Sequence, residues 1–218
     1  MGSRANCLPD RSPEAVSFSN LAAGRRSIRR YQPMPVAREL VNSLLEMAVT
    51  AASAHNRQPW RFLVIETQAA KEKLARAMGE RLRADRSRDG DPADVIDADV
   101  ARSYARLTGA PVIIAICMSM INMDRYADDK RNQAERLMAT QGTAMAAQNL
   151  LLSAHAGGLA ACWMCAPLFC ADTVAAALAL PGDWEPQALI TLGYPGDQGK
   201  PYRRRPVREV TRYEKDEA

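Results

Sequence analysis

The sequence predicts a sandwich of helices around one central sheet, α+β or α/β in class. Three observations carry this. Four short apolar runs, at residues 61–66, 111–118, 159–164 and 187–193, have the length and composition of strands. Longer segments with helical spacing of apolar residues separate them, giving the order β, α, β, α, β, α, β. No internal repeat divides the 218 residues, a length that fits one domain with extensions.

Residues 1–20 are polar, carry two prolines and no apolar signal core, and read as an N-terminal arm ahead of a single domain over 21–218. Met1-Gly2 opens like a myristoylation motif, but Asn6 stands where that motif needs Ser or Thr. Ser27 can cap a turn. Pro33 and Pro35 then punctuate the start of a helix, Pro35 being suited to its first turn. Leu40, Leu44, Met47 and Ala51 recur at steps of three and four and predict its apolar face. The helix ends in Ala51-Ala52-Ser53-Ala54, just before a loop, His55-Asn56-Arg57-Gln58-Pro59-Trp60. The strand at 61–66 reads as buried on both sides or nearly so.

Residues 68–84 predict a charged amphipathic helix with Leu74, Met78 and Leu82 on one face. Residues 85–99 read as a polar, lid-like excursion containing Gly and Pro. Asp85, Ser87, Asp89 and Gly90 fall where a calcium loop places its early ligands, yet Ile96 takes the place of the closing Glu and Pro92 interrupts, which disfavours calcium. The longest helix spans 132–156. Gly142, Ala144, Ala146 and Ala147 in its middle let a partner helix, or a second copy, approach closely. Gly157-Gly158 terminates it, and a short helix follows at 171–180.

The net charge is +4, with acidic and basic residues interspersed except in two clusters near the ends. The first is Arg25-Arg26-Ser27-Ile28-Arg29-Arg30-Tyr31, and the second runs from Lys200 to Arg205. Nucleic-acid binding calls for a longer basic stripe with interleaved aromatics. A small anion fits better: guanidinium holds phosphate through paired hydrogen bonds, and Ser27 adds a donor. A groove built from both ends of the chain around one phosphate would explain both clusters.

No apolar run reaches the length needed to span a bilayer, and the expected location is cytoplasmic. The motifs for a Rossmann site, a Walker loop, a zinc protease and a serine elbow are missing. With only His55 and His155, a nucleophilic triad has little to draw on. His155 reads as a cation favoured at a helix C-terminus. Cys162, Cys165 and Cys170 are bunched, but Cys162 and Cys165 would face opposite sides of a strand, so no metal site is assigned. Packing is their expected role.

Arg25-Arg26-Ser27-Ile28-Arg29, Asn56-Arg57-Gln58-Pro59-Trp60, Gly158-Leu159 before Cys162-Trp163, and Arg203-Arg204-Arg205-Pro206 together resemble the nitroreductase family of FMN enzymes. The resemblance covers residues 25–214. Leu180-Pro181-Gly182-Asp183-Trp184-Glu185-Pro186, with the segments 81–88 and 124–135, looks closest to the C-terminal flavin reductase domain of the ligase-reductase that completes the deazaflavin coenzyme F-420. It departs from ordinary nitroreductases at His55 and Arg57, where they tend to have small or polar residues.

This resemblance implies an α+β, three-layer sandwich with a mostly antiparallel sheet, assembled as an intertwined homodimer. Arg25, Arg26, Ser27 and one or two of Arg203, Arg204 and Arg205 would hold the FMN phosphate. Arg29 would sit near the N1–C2 edge of the ring, where a cation favours the reduced flavin. Ser53 and Asn56 would meet the ring from the loop, and Gly158 and Leu159 would approach it closely. No side chain needs to be catalytic, since flavin N5 carries the chemistry. NADH or NADPH would reduce the flavin and leave, and a nitroaromatic, quinone or enone acceptor would follow in ping-pong order. His55, Arg57 and Arg81 are the residues expected to meet the acceptor. Two alternatives stand beside this: reduction of a dehydro-F-420 precursor, and a flavin-binding protein that is not an enzyme.

Overall fold

A computed structural model describes residues 13–214 of the chain, with side chains from residue 17 onward. Its centre is one antiparallel sheet in the order β1-β2-β4-β3, formed by β1 (Trp60–Ile65), β2 (Val112–Met118), β3 (Ala160–Met164) and β4 (Glu185–Gly193). β2 and β4 lie in the middle and are covered on both faces, which is why they read as continuous apolar runs. Alternation along β2 divides the core in two. Ile114 and Ile116 face one way, with Ile190 and Leu192, under Val41, Leu44 and Leu150. Ile113 and Ala115 face the other way, with Leu189, under Leu74, Met78, Leu107 and Val174. The helices are α2 (Arg38–Ala48) and α5 (Asp129–Ala156) over the first face, and α3 (Gln68–Arg88), α4 (Ala93–Thr108) and α6 (Ala171–Leu178) over the second. This is the expected three-layer sandwich. β1 is an edge strand, and its middle residues are half-buried rather than enclosed on both sides.

Several boundaries differ from expectation. The arm expected over 1–20 lies outside the described residues as far as residue 12; from there α1 (Pro13–Gly24) is helical. α2 starts at Arg38, after both prolines, because Val36 drops into the core and Ala37 is still extended. Its buried stripe is Val41, Leu44 and Ala48, and Met47 is exposed. Ser27 makes an isolated bridge to Ala161 at the outer edge of β3 instead of capping a turn.

The largest correction is at 85–99. This stretch is the last turn of α3, a tight turn and the start of α4, a helix that the sequence reading missed. Only Ile96 and Leu107 of α4 are buried, so its apolar spacing is faint. Gly79 makes room for it: a Cβ there would lie 3.1 Å from Val100 Cγ1. Ion pairs of Arg83 with Asp97, and of Arg86 with Asp91 and Asp99, fasten the hairpin. At its base the buried Lys71 donates to Ala110 O at 2.7 Å and Pro111 O at 3.3 Å, and burial pushes its ammonium pKa down.

α5 begins with Asp128 accepting from Arg131 N at 2.9 Å and ends at Gly157, followed by Gly158 at φ +74°. Its small middle serves a loop: a Cβ on Gly142 would lie 3.2 Å from Ser53 Cβ and 3.5 Å from Pro59 Cγ. A four-residue helix, α7 (Val207–Val210), sits in an exposed C-terminal segment.

Candidate functional site: two cationic cavities

The two basic clusters meet. The chain from Ser27 to Gln32 runs extended between β3 and the segment after β4. Ile28 N donates to Ala161 O at 3.3 Å, Gln32 N to Tyr194 O at 2.9 Å, and Gly196 N to Arg30 O at 2.9 Å. Tyr31 anchors this run, its hydroxyl 2.7 Å from Thr191 Oγ1 and 2.9 Å from Ile28 O. Burial pushes the Tyr31 pKa well up, so the phenol stays protonated. The C-terminal segment then crosses over 26–28 through Gly199, at φ +71°, where a Cβ would lie 3.2 Å from both Arg26 Cβ and Ile28 Cγ1.

Beyond this crossing Arg25, Arg26, Ser27, Arg29, Lys200, Tyr202 and Arg204 line a cavity of about 170 Å³. Tyr202 is its frame. Arg26 and Arg204 each stack on the Tyr202 ring at 4.1 Å, and the Tyr202 hydroxyl donates to Ala23 O at 2.8 Å. Arg26 also donates to Ala23 O at 2.7 Å and Gly24 O at 2.9 Å, capping α1. Among the described residues no carboxylate pairs with Arg25, Arg26, Arg29, Lys200, Arg203, Arg204 or Arg205. Arg203 and Arg205 line an adjoining hollow of about 430 Å³ with Arg204 and Glu209, not the first cavity. Tyr202 and Gly199 were not singled out from the sequence; an aromatic inside the second basic cluster, between Lys200 and Arg203, was the available signal for Tyr202.

The loop before β1 builds a second cavity. His55, Asn56 and Gln58 all take left-handed conformations, at φ 48°, 53° and 48°, which costs free energy for residues with side chains. Ser53 holds the loop, accepting from Gln58 N at 3.0 Å, so its hydroxyl is engaged within the loop. Ser119 N holds the far end by donating to Pro59 O at 2.8 Å. His55, Asn56, Arg57, Arg61, Asn122 and Asp124 line about 730 Å³ of space with Trp60, Ile121 and Met123. None of the arginines of the first cavity is among these residues.

Gly158 lies at the turn before β3, and a Cβ there would meet no atom within 4 Å. Leu159 is buried in the core, so its side chain is not presented to a ligand. Arg81 is not brought to either cavity. Its guanidinium bonds Asp85 at 2.8 Å and Asp172 at 3.1 Å, and these carboxylates raise its pKa, Asp85 first. An arginine neutralised twice has no charge to spare for an acceptor.

Cys162 and Cys170 are buried, and desolvation raises the pKa of both thiols; that of Cys117 is pushed up to about 12. Among the described residues no three His, Cys, Asp or Glu side chains stand close enough to hold a metal ion. No described helix is long and apolar enough to cross a membrane.

Residues 22–194 match the model of the nitroreductase family. An NADH dehydrogenase of Thermus thermophilus is 29% identical over 213 residues, covering 87% of this chain and 92% of that protein. A crystal structure from Desulfovibrio desulfuricans, described as a "putative nitroreductase in complex with fmn", is 29% identical, with a TM-score of 0.70, over 94% of this chain and 99% of that one. A BluB-like flavoprotein from Clostridium difficile shares the fold, with a TM-score of 0.76 at 24% identity, over 91% of this chain and 99% of the other.

Proposed function

Because the chain belongs to the nitroreductase family, we propose that it is an FMN-dependent oxidoreductase that takes electrons from NADH or NADPH and passes them to a small organic acceptor in ping-pong order. The carrying observation is the first cavity, where segments near both ends of the chain present cations that no carboxylate among the described residues answers. The donor set suits a phosphate monoester: guanidinium from Arg25 and Arg204, ammonium from Lys200 and hydroxyl from Ser27. Those residues would hold the FMN phosphate, while Arg26 and Tyr202 keep the cavity in shape. Bound FMN supplies the hydride chemistry. The protein supplies positioning and charge: Arg29 would meet the electron-rich edge of the ring, and the backbone at Gly158 leaves room for a planar group.

The active unit is a homodimer in this reading, in keeping with a location in the cytoplasm. Phe18, Met47, Met145, Val207, Val210 and Tyr213 are exposed on one chain, Tyr213 at 81%, and a second copy would cover such side chains. The acceptor class stays a nitroaromatic, a quinone or an enone. The narrower reading, a dehydro-F-420 precursor, draws on the resemblance at Leu180 to Pro186 and on the cationic loop at His55 and Arg57. The test is direct: the purified protein should show a flavin spectrum, bleach on NADPH without oxygen, and oxidise NADPH when menadione is added. A yellow protein that turns over with no acceptor would contradict the enzyme reading. Light scattering should give twice the mass of one chain.

A further inference from the structure

We propose that the second cavity binds the oxyanion of an acidic acceptor, and that the Arg57–Asp124 ion pair is a latch which that oxyanion displaces. The proposal rests on the oxidoreductase reading for the word acceptor, and on the cavity itself for the anion. Two guanidinium groups, Arg57 and Arg61, line this space of about 730 Å³ with one carboxylate, Asp124, which is paired directly with Arg57. Arg61 Nη1 donates to Gln58 O at 3.1 Å and Trp60 O at 2.8 Å, which fixes the group at the rim with its other N–H groups unbonded among the described residues. The side chains of His55, Asn56 and Asn122 likewise have no hydrogen-bond partner among the described residues. The lining is mostly polar: Trp60 and Met123 are buried behind it, and Ile121 is the exposed apolar side chain at its edge.

Both walls are pinned, so the latch is the part able to move. The 53–59 loop is held by Ser53 and by contact with Gly142. The 121–126 loop is held from α5: Glu135 accepts from Asp124 N at 3.3 Å, and Asn132 bonds Tyr126 N and O, each at 2.9 Å. Between them the Arg57 and Asp124 side chains remain 40% and 39% exposed. An ion pair this wet is weak. A ligand carboxylate or phosphate can replace Asp124 on Arg57 with two parallel bonds, and Arg61 supplies the second cation that favours the exchange.

The experiment is a calorimetric titration of benzoate, phenyl phosphate and benzyl alcohol into FMN-saturated protein and its Arg61→Gln, Asp124→Asn and Arg25→Ala variants, each confirmed to be folded by circular dichroism. At least one of the two anions should bind, and which one does so tells carboxylate from phosphate; benzyl alcohol should not bind. Asp124→Asn should tighten the anion about tenfold and Arg61→Gln should weaken it about tenfold, while Arg25→Ala leaves it unchanged. Equal binding of benzyl alcohol, an Asp124→Asn variant that binds no tighter, or loss of binding in Arg25→Ala in place of Arg61→Gln would overturn the proposal. Absorbance of the same samples reports flavin separately. A protein that takes up no FMN breaks the oxidoreductase reading, and the same titration on it still decides whether the cavity binds anions.

Discussion

The arginines around Arg25 and those of the α3–α4 hairpin are one residue type in two electrostatic states. In the hairpin, Arg81, Arg83, Arg86 and Arg102 are each paired with an aspartate of the same two helices or of α6. At the first cavity Arg25, Arg29 and Arg204 crowd together with Lys200 and find no carboxylate among the described residues. Like charges brought together without counter-charge cost stability, and an anionic ligand is what would relieve that cost in the proposed reading. Paired arginines hold structure; unpaired ones await a partner. The comparison also explains the misreading of Arg81, whose charge is spent on Asp85 and Asp172.

The sharpest way to break this contrast is to remove a cation from each region. Arg25→Ala should weaken FMN binding by about ten- to a hundredfold, the scale of a lost charge-assisted bond, and the variant should purify with little flavin. A fully yellow Arg25→Ala protein would misplace the phosphate. Tyr202→Ala removes the surface on which Arg26 and Arg204 stack, and should weaken FMN about five- to tenfold with NADPH-dependent turnover recovered at saturating FMN. Tyr31→Phe strips the bond to Thr191 and should cost about 1 kcal/mol, seen as a melting temperature lower by about 2–4 °C. Arg83→Ala should have the smallest effect: its partner Asp97 is exposed, so stability should fall by less than about 1 kcal/mol and flavin content should not change. Flavin loss in Arg83→Ala as large as in Arg25→Ala would erase the distinction.

Much of this was legible in the sequence because burial writes itself into composition. β2 and β4 are enclosed on both faces, and both were found within two residues of their ends. The joining of the two end clusters was legible too, since chemistry rather than spacing demanded it. α4 was not. Asp94, Asp97, Asp99, Arg102 and Arg106 give it the composition of a loop, and the groups that stabilise it lie on α3. The face of α2 was misjudged because Leu40 and Met47 are as apolar as Val41 and Ala48, and only the position of the sheet decides between the stripes. Ser53 was assigned to the flavin ring, and its second role, accepting from Gln58 N, was not legible, because that bond depends on a left-handed backbone which periodicity cannot register.

The central claim is that a phosphate joins the two ends of the chain. It is tested most directly by titrating flavin-free protein with FMN and with riboflavin, which differ only in that phosphate, and following flavin fluorescence. FMN should bind at least about a hundredfold tighter, since two or more charge-assisted bonds depend on the phosphate. Equal affinities would contradict the account, and the cations around Arg25 would then serve another anion.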